Sequence, residues 1–466
     1  MNKLYTLSGK LVVFIFAFLF LFAACHPDAD NPNPYNAYTK DARYYDNSVA
    51  LEWNKLMLDI SRYAPGYRPP VQARALGYIG LAVYESVVPG MPRYNSLGSQ
   101  FKGLYLPQAQ LGGNYNWPTC AGAAYSTIIR AFYPNLPQAQ LDKITALETQ
   151  LKQEAQSKLP KDIYDTSVKF GTDVANAIFA WSATDVLGHE AYKRNTDPNY
   201  IPPTGIGKWQ PTKPDFSKAL LPYWGNVRCF AIAQNDKLAK PPVTYSEDKK
   251  SEFYKQAKEV YDLSNNPTYE HRWIAEFWSD DNFQFTFDPS TRWISVANQI
   301  LNNKNATLET AIYTYAKVGL ALADAGVSCW FTKYQYNLIR PVDYINKVID
   351  SKYATILNNP LINRSGYTPP FPAYVSGHAT FGAAAAKAMV SIFGNNTPFA
   401  DYSHNDRTEF IGRFRTFETL TQSSDENAIS RLYLGVHFRM DAEVGVAHGY
   451  EIADKVCALP WLRKIF

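Results

Sequence analysis

The stretch PPFPAYVSGHATFGAAAAKAM, from Pro369 to Met389, decides the fold and the position of the candidate site. Its prolines stiffen the approach to Ser376-Gly377-His378, and the small residues that follow favour a closely packed helix. A Ser-Gly pair at a helix start leaves backbone N–H groups at the positive end of the helix dipole, beside a hydroxyl and an imidazole. This arrangement suits an oxyanion, but the same triplet is also common as a helix cap followed by a buried histidine.

Apolar residues recur at three- and four-residue intervals through most of the chain, which predicts helices. In the first half these are residues 46–63, 70–88, 121–132, 138–158 and 163–183. In the second half they are residues 246–263, 269–278, 293–301, 306–326, 378–393, 405–421, 425–434 and 440–456. The alternation typical of strands is scarce. We therefore predict an all-α protein with two helical bundles in one large domain and long Pro/Gly-rich loops.

The predicted boundaries follow the composition of the chain. A first bundle covers about residues 41–187, a Pro- and Gly-rich loop about 188–245, and a second bundle with the active site about 246–466. No internal stretch reaches the ~18 uncharged apolar residues of a membrane-spanning helix. We therefore predict no membrane span beyond the N-terminus.

The N-terminus resembles a bacterial lipoprotein signal. Leu11 to Phe22 is an unbroken apolar run after a short basic region, and Ala23-Ala24-Cys25 follows it. This predicts a signal peptide over residues 1–24, a lipid on Cys25, and a polar tether over residues 25–40. The expected location is the bacterial cell envelope, with the lipid anchor in the outer membrane on its periplasmic or surface face. An ordinary secretory signal and a membrane anchor are the alternatives.

Charge and cysteine content narrow the function classes. The net charge is +4 and the Lys and Arg residues form no basic stripe, so nucleic acid is not implied. The cysteines after Cys25 are widely spaced without a C-x-x-C pattern, which argues against a zinc site. The aromatic share of 15% leaves open a surface lipoprotein that binds ligands through exposed Tyr and Trp.

Two further segments carry ionisable groups at informative spacings. In CWFTKYQYNLIRP, Lys333 and Arg340 are seven residues apart, so a helix that ends at Pro341 would place them on one face. Two such cations could hold an anion, or form an ordinary solvated basic face.

In SRLYLGVHFRMDAEVG, His437 and Asp441 are four residues apart, so the carboxylate could fix the imidazole tautomer and leave the other nitrogen basic. Arg431 would point elsewhere on one continuous helix. We therefore predict a break near Gly435 that lets Arg431 and His437 converge.

Together the three segments resemble the shared signature of the vanadium-dependent haloperoxidases and the type-2 phosphatidic acid phosphatases. Val375 is the one departure, because that family usually has proline before Ser-Gly-His. The resemblance implies a cradle that binds the oxygens of vanadate or phosphate, with neutral donors at Ser376 and Gly377 and cations at Lys333, Arg340 and Arg431. It also implies that His437 is the vanadium ligand or the phosphorylated nucleophile, with Asp441 as its orienting partner and His378 as the acid/base.

The flanking residues favour the haloperoxidase branch. Phe371 and Trp330 match aromatic residues found near vanadate in haloperoxidases, although core packing would explain either one alone. By the same resemblance Asp281 pairs with Arg431, with Asp280 as an equally adjacent alternative.

The leading hypothesis is a vanadate-dependent haloperoxidase that oxidises halide with hydrogen peroxide and uses no haem; a small organic acceptor is a further possible partner. The alternative from the same signature is an acid phosphatase that hydrolyses a phosphate ester through a phosphohistidine, with phosphate in the same site.

Overall fold

The computed structural model describes residues 39–464, so the predicted signal peptide, Cys25 and the tether up to residue 38 lie outside the described residues. Within that range the chain forms thirteen α-helices. They are α1 (Ser48–Ser61), α2 (Pro69–Val87), α3 (Trp117–Phe132), α4 (Gln138–Lys158), α5 (Lys161–Ala183), α6 (Glu252–Asn265), α7 (Tyr269–Phe277), α8 (Thr291–Asn303), α9 (Leu308–Tyr336), α10 (Pro341–Val348), α11 (Gly377–Phe393), α12 (Leu420–Tyr433) and α13 (Arg439–Cys457).

The described strands are two or three residues long and form two antiparallel pairs. The first pair is β1 (Asn358–Asn359) with β2 (Arg364–Ser365), and the second is β3 (Phe399–Asp401) with β4 (Arg415–Phe417). The predicted all-α class is therefore confirmed. No helix among residues 39–464 is long and apolar enough to span a bilayer.

Local capping signals set several helix starts. The hydroxyl oxygens of Ser251, Thr268 and Thr307 each accept a hydrogen bond from the backbone N–H three residues on, at the starts of α6, α7 and α9. Proline occupies the first turn of α2, α3 and α10, where its missing N–H costs no helical hydrogen bond. These starts follow from short-range sequence chemistry.

Helix α9 joins the two halves of the chain. It is 29 residues long and almost entirely buried, and it packs along α2. A Cβ atom added at Gly319 would lie 2.6 Å from the Leu76 carbonyl oxygen, so glycine permits this close approach. The main hydrophobic core therefore includes residues from both halves.

The alanine-rich helix α11 is buried among α9, α12 and α13. A Cβ atom at Gly449 of α13 would lie 2.5 Å from the Thr380 carbonyl oxygen, so α13 approaches α11 closely. This contact places the start of α11, which carries His378, beside the turn between α12 and α13, which carries His437.

Two predicted elements differ from the structure. Residues 405–421 were predicted to be helical, but they contain β4 and irregular backbone. The prediction is wrong because Arg415 to Phe417 pair with β3, a contact distant in sequence that periodicity does not report. Helix α9 also continues ten residues beyond the predicted end at Gly326, to Tyr336.

Candidate active site

Lys333 and Arg340 do not share a helix, contrary to the prediction. Helix α9 ends at Tyr336, and Asn337 has a left-handed backbone with φ of 51°. Pro341 then begins α10, with Arg340 immediately before it, because proline fits the first turn of a helix. The two cations still converge, since each lies 4.9 Å from the centre of the Phe371 ring.

Backbone carbonyl oxygens hold both of these buried cations. Lys333 Nζ donates hydrogen bonds to the carbonyls of Pro372 at 2.9 Å and Ala373 at 3.0 Å. Arg340 donates from Nε to the Phe371 carbonyl and from Nη1 to the Val436 carbonyl, each at 2.8 Å. Burial lowers the pKa of Lys333 to about 7 and that of Arg340 to about 9. The carbonyl contacts hold both cationic groups in place, and no carboxylate of the described chain touches either of them.

The predicted hydrogen bond between His437 and Asp441 is present. Gly435, with φ of 81°, makes the turn that ends α12, and α13 begins at Arg439. His437 Nδ1 lies 2.9 Å from Asp441 Oδ2, and the same oxygen accepts from the Phe438 N–H. This contact favours the tautomer that carries its proton on Nδ1, so the Nε2 lone pair is available. Nε2 lies 3.3 Å from Arg340 Nη1.

Burial also sets the protonation of this pair. It lowers the pKa of His437 well below its ordinary value, and the nearby cations Arg340 and Lys333 act in the same direction. Burial raises the pKa of Asp441 to about 7, while Lys333 opposes that rise. The imidazole is consequently neutral, as a ligand to a metal centre must be.

Ser376, Gly377 and His378 form the start of α11. Ser376 Oγ caps the helix at 3.4 Å from the Ala379 N–H, and the Ser376 N–H donates to the Asp441 carbonyl at 2.9 Å. Gly377 and His378 line the candidate pocket. His378 Nε2 is buried and has no hydrogen-bond partner among residues 39–464. Burial lowers the pKa of His378 well below its ordinary value, with Arg431 and Lys333 adding to the effect.

Arg431 reaches the pocket from α12, but its predicted carboxylate partner is wrong. Asp281 Oδ2 lies 3.1 Å from Arg68 Nη2, and Arg431 Nη1 donates to the Trp278 carbonyl at 3.0 Å. Within the described chain neither Asp281 nor Asp280 is hydrogen-bonded to Arg431. Burial lowers the pKa of Arg431 to about 10, and both carboxylates oppose this at longer range. Sequence spacing missed Arg68 because it comes from the distant start of α2.

Behind Arg431, three buried residues that no motif indicates, Arg292, Asp401 and His404, surround Asp280. Arg292 Nε donates to Asp401 Oδ2 at 3.0 Å, and Arg292 Nη1 lies 3.3 Å from Asp280 Oδ1. His404 Nε2 lies 3.0 Å from the same Asp280 oxygen. We call Asp280, Arg292, Asp401 and His404 the buttress cluster. Its members come from separate segments, so no local spacing could have indicated the cluster.

The pocket has a volume of about 170 Å³. His437, His378 and Arg431 line it, and Trp330 and Phe371 form an aromatic wall with ring centres 5.0 Å apart. The Arg68–Asp281 ion pair, which is partly exposed, lies at the same pocket. Trp330 Nε1 donates to the Leu220 carbonyl, so the long loop fixes that wall.

The donor set fits an oxyanion such as vanadate or phosphate. Arg340 Nη2, Arg431 Nε and His378 Nε2 are buried donors or acceptors without partners in the described part of the chain. His378 and Arg431 line the pocket, and Arg340 contacts His437, which also lines it, so these atoms are placed to serve a polar ligand. A neutral imidazole whose Nε2 carries the lone pair, with three cationic side chains nearby, could bind a metal oxyanion or attack phosphorus once the anion takes the place of the 3.3 Å contact with Arg340.

Comparisons with known proteins bear on this choice. The vanadium chloroperoxidase N-terminal domain model matches residues 26–214, and the VCPO second helical-bundle domain model matches residues 313–460. The vanadium chloroperoxidase of Curvularia inaequalis is 24% identical over 505 residues, covering 89% of this chain and 81% of that protein.

Two crystal structures are also similar. A bacterial vanadium-dependent iodoperoxidase aligns with a TM-score of 0.79 and 29% identity, covering 91% of this chain and 99% of that one. A holo-type bacterial vanadium-dependent chloroperoxidase aligns with a TM-score of 0.64 and 16% identity, covering 86% and 93% of the two chains. The second likeness concerns the fold alone.

Proposed function

This chain belongs to the vanadium-dependent haloperoxidases, and on that premise we propose that His437 and the surrounding cations hold vanadate for peroxide-dependent oxidation of halide. The observation that carries the residue assignment is the His437 imidazole. The side chain lines the pocket, its Nδ1 is bound to Asp441, and its Nε2 lies 3.3 Å from Arg340 Nη1.

Three cationic side chains and one imidazole would hold the anion, each through a different contact. Lys333, Arg340 and Arg431 would offset the negative charge of the vanadate oxygens, and His437 Nε2 would be the ligand to vanadium. Bound vanadate would supply a Lewis-acidic centre that activates hydrogen peroxide toward halide. Because carbonyl oxygens already fix Lys333 and Arg340, these donors need little reorganisation when the anion binds.

His378 is the group that we assign to proton transfer. Its Nε2 lies in the pocket without a partner in residues 39–464, and its lowered pKa leaves it neutral at pH 7. A neutral imidazole can accept a proton from hydrogen peroxide and return one to the departing oxygen. Trp330 and Phe371 line the same pocket and add apolar surface to it.

We propose iodide as the halide that reacts fastest. Iodide is the most easily oxidised of the common halides, so an enzyme that oxidises bromide or chloride also meets the chemical requirement for iodide. The structural relative at 29% identity is an iodoperoxidase, which supports the same choice.

The direct test uses purified mature protein loaded with orthovanadate. Peroxide-dependent oxidation of iodide, bromide and chloride is measured in parallel, with His437→Ala as the inactive control. We expect the vanadate-loaded wild type to oxidise iodide and the His437→Ala variant to oxidise none. Hydrolysis of an aryl phosphate without oxidation of any halide would instead assign the site to the phosphatase branch.

We also propose that Cys25 carries a lipid that anchors the mature chain to the cell envelope. The support is the apolar run followed by Ala23-Ala24-Cys25. Metabolic labelling with a palmitate analogue should label the wild type and not Cys25→Ser. Equal labelling of both proteins would reject the proposal.

A further inference from the structure

A second cavity lies in the first half of the chain, among helices α1, α3, α4 and α5. Its volume is about 460 Å³, within the range of small-molecule binding sites. Its apolar lining includes Val49, Trp53, Gly122, Leu151 and Val168, and serine and threonine side chains complete it. We call it the four-helix cleft. It shares no lining residue with the active-site pocket.

Helix α4 forms a loosely packed outer wall of this cleft. Of its 21 residues only Gln140 and Ile144 are buried, and both lie in its first two turns. The later turns place Leu151 and Ala155 on the cleft. Helix α4 therefore leaves an opening between its second half and the rest of the bundle.

Trp53 lines the cleft and carries an indole N–H that has no partner among the described residues. The side chain is 1% exposed. A Cβ atom added at Gly122, which also lines the cleft, would lie 3.8 Å from this nitrogen. A buried indole N–H normally finds an acceptor, so the position calls for an acceptor atom on a ligand.

The charges around the cleft favour a neutral ligand. Three acids, Asp46, Glu148 and Glu154, line the cleft with two lysines, Lys152 and Lys158, so most of the charge is offset. Two of the acids are already engaged, since Glu148 is paired with Arg130 at 2.9 Å and Asp46 accepts from the Ser48 N–H at 2.9 Å. Neither an anion nor a cation therefore finds a concentrated opposite charge.

We propose that the four-helix cleft is a binding site for a neutral, mainly apolar small molecule whose carbonyl or hydroxyl oxygen accepts a hydrogen bond from Trp53 Nε1. The site is separate from the halide-oxidising site and does not depend on the function proposed for it. The apolar wall would cover the body of the molecule, and the single donor would orient it.

The test uses 6-propionyl-2-dimethylaminonaphthalene (Prodan), a neutral fluorescent aromatic ketone whose emission reports the polarity of its surroundings. We expect saturable binding to the wild-type mature protein, unchanged by saturating orthovanadate. The anionic dye 8-anilinonaphthalene-1-sulfonate should bind at least tenfold more weakly. Absence of saturable Prodan binding, displacement by orthovanadate, or tighter binding of the anionic dye would overturn the proposal.

Two variants locate the binding. Gly122→Leu fills the cleft, since the nearest atoms to an added Cβ are 3.7 and 3.8 Å away, and it should weaken Prodan binding at least tenfold. Trp53→Phe keeps the aromatic ring but removes the donor, so we expect a loss of about fivefold to tenfold.

Ala146→Leu is the matched control, because it adds a similar side chain to an exposed position of α4 outside the cleft. It should bind Prodan as the wild type does. Unchanged iodide oxidation and thermal unfolding of Gly122→Leu would show that the fold is intact. Equal Prodan affinity for Gly122→Leu and Ala146→Leu would overturn the proposal.

Discussion

The two sides of the anion pocket hold their buried cations in different ways. On one side, which we call the motif side, Lys333 and Arg340 donate to backbone carbonyls of the segment 371–373 and of Val436. On the other side, Arg292 of the buttress cluster contacts two buried carboxylates, Asp280 and Asp401. The first arrangement leaves positive charge available to a ligand, whereas the second neutralises it internally.

This difference distinguishes buried cations that bind the ligand from a buried cation that stabilises the fold. A buried cation without a carboxylate in contact costs folding free energy, and burial accordingly lowers the pKa of both Lys333 and Arg340. Destabilising buried charges of this kind are typical of functional sites, where a bound anion pairs with them. Arg292 instead holds the segment that carries Trp278, whose carbonyl positions Arg431.

The strongest test of the motif side is His437→Ala. Removing the proposed vanadium ligand should abolish halide oxidation and retention of vanadate after desalting. We expect a loss larger than the 10- to 100-fold that supporting residues of metal sites typically cost. The control is His189→Ala, at a partly buried position whose ring packs on Phe179 away from the pocket, and it should leave activity unchanged. Retention of vanadate by His437→Ala at the wild-type level would contradict the assignment.

On the other side of the pocket, Arg292→Met should mainly reduce stability. Arg292 is fully buried, and its removal leaves the carboxylates of Asp280 and Asp401 without their cation. Breaking a buried pair in this way costs about 3–5 kcal/mol in the free energy of unfolding. Urea unfolding measures the loss of stability. Calorimetric titration with inorganic phosphate, at conditions where the variant is still folded, measures whether the site binds an anion. A variant as stable as the wild type would show that the buttress cluster does not support the fold.

Lys333→Met should show the opposite pattern. The methionine keeps most of the side-chain volume and removes a buried charge, so we expect the free energy of unfolding to stay constant or rise. Affinity for phosphate or vanadate should fall about 10- to 100-fold, because a charge-assisted contact is lost. The same two measurements apply. If Lys333→Met proved as destabilising as Arg292→Met, the distinction between the two sides would be wrong.

The sequence was most informative for the motif side. Ser376, Gly377 and His378 fall at a helix start with a local signal, and Gly435 marks the break that brings Arg431 and His437 to one pocket. These features depend on neighbouring residues, which spacing can describe. The shared helix predicted for Lys333 and Arg340 was wrong, because Asn337 ends α9 and Pro341 starts α10.

The buttress cluster could not be predicted in the same way. Asp280 and Arg292 lie more than a hundred residues before Asp401 and His404, and the β3–β4 pairing brings the later segment into place. The four-helix cleft could not be predicted from the sequence either, since it arises from how α4 packs and not from any motif. Contacts distant in sequence therefore account for what the periodicity and motifs omit.

The smallest predicted effect concerns the pH dependence of the buttress cluster. Burial and Arg292 lower the pKa of His404, while Asp280 opposes the shift. Asp401 also raises it, and the rings of Phe277 and Phe287 complete its surroundings. Folded His404 therefore binds a proton less readily than unfolded His404, whose pKa is about 6.5. Its contribution to stability is present above that pH and is lost as the pH falls below it.

His404→Gln isolates this contribution, because glutamine can donate to Asp280 but does not titrate. Other buried histidines affect both proteins alike, so the informative quantity is the difference in unfolding free energy between wild type and variant. We expect that difference to shift against the wild type between pH 7 and pH 5, by at most about 1.4 kcal/mol per pH unit. Urea unfolding of vanadate-free protein measures it. A shift in favour of the wild type would mean that His404 is protonated in the fold, so that Asp280 is neutralised by an imidazolium as well as by Arg292.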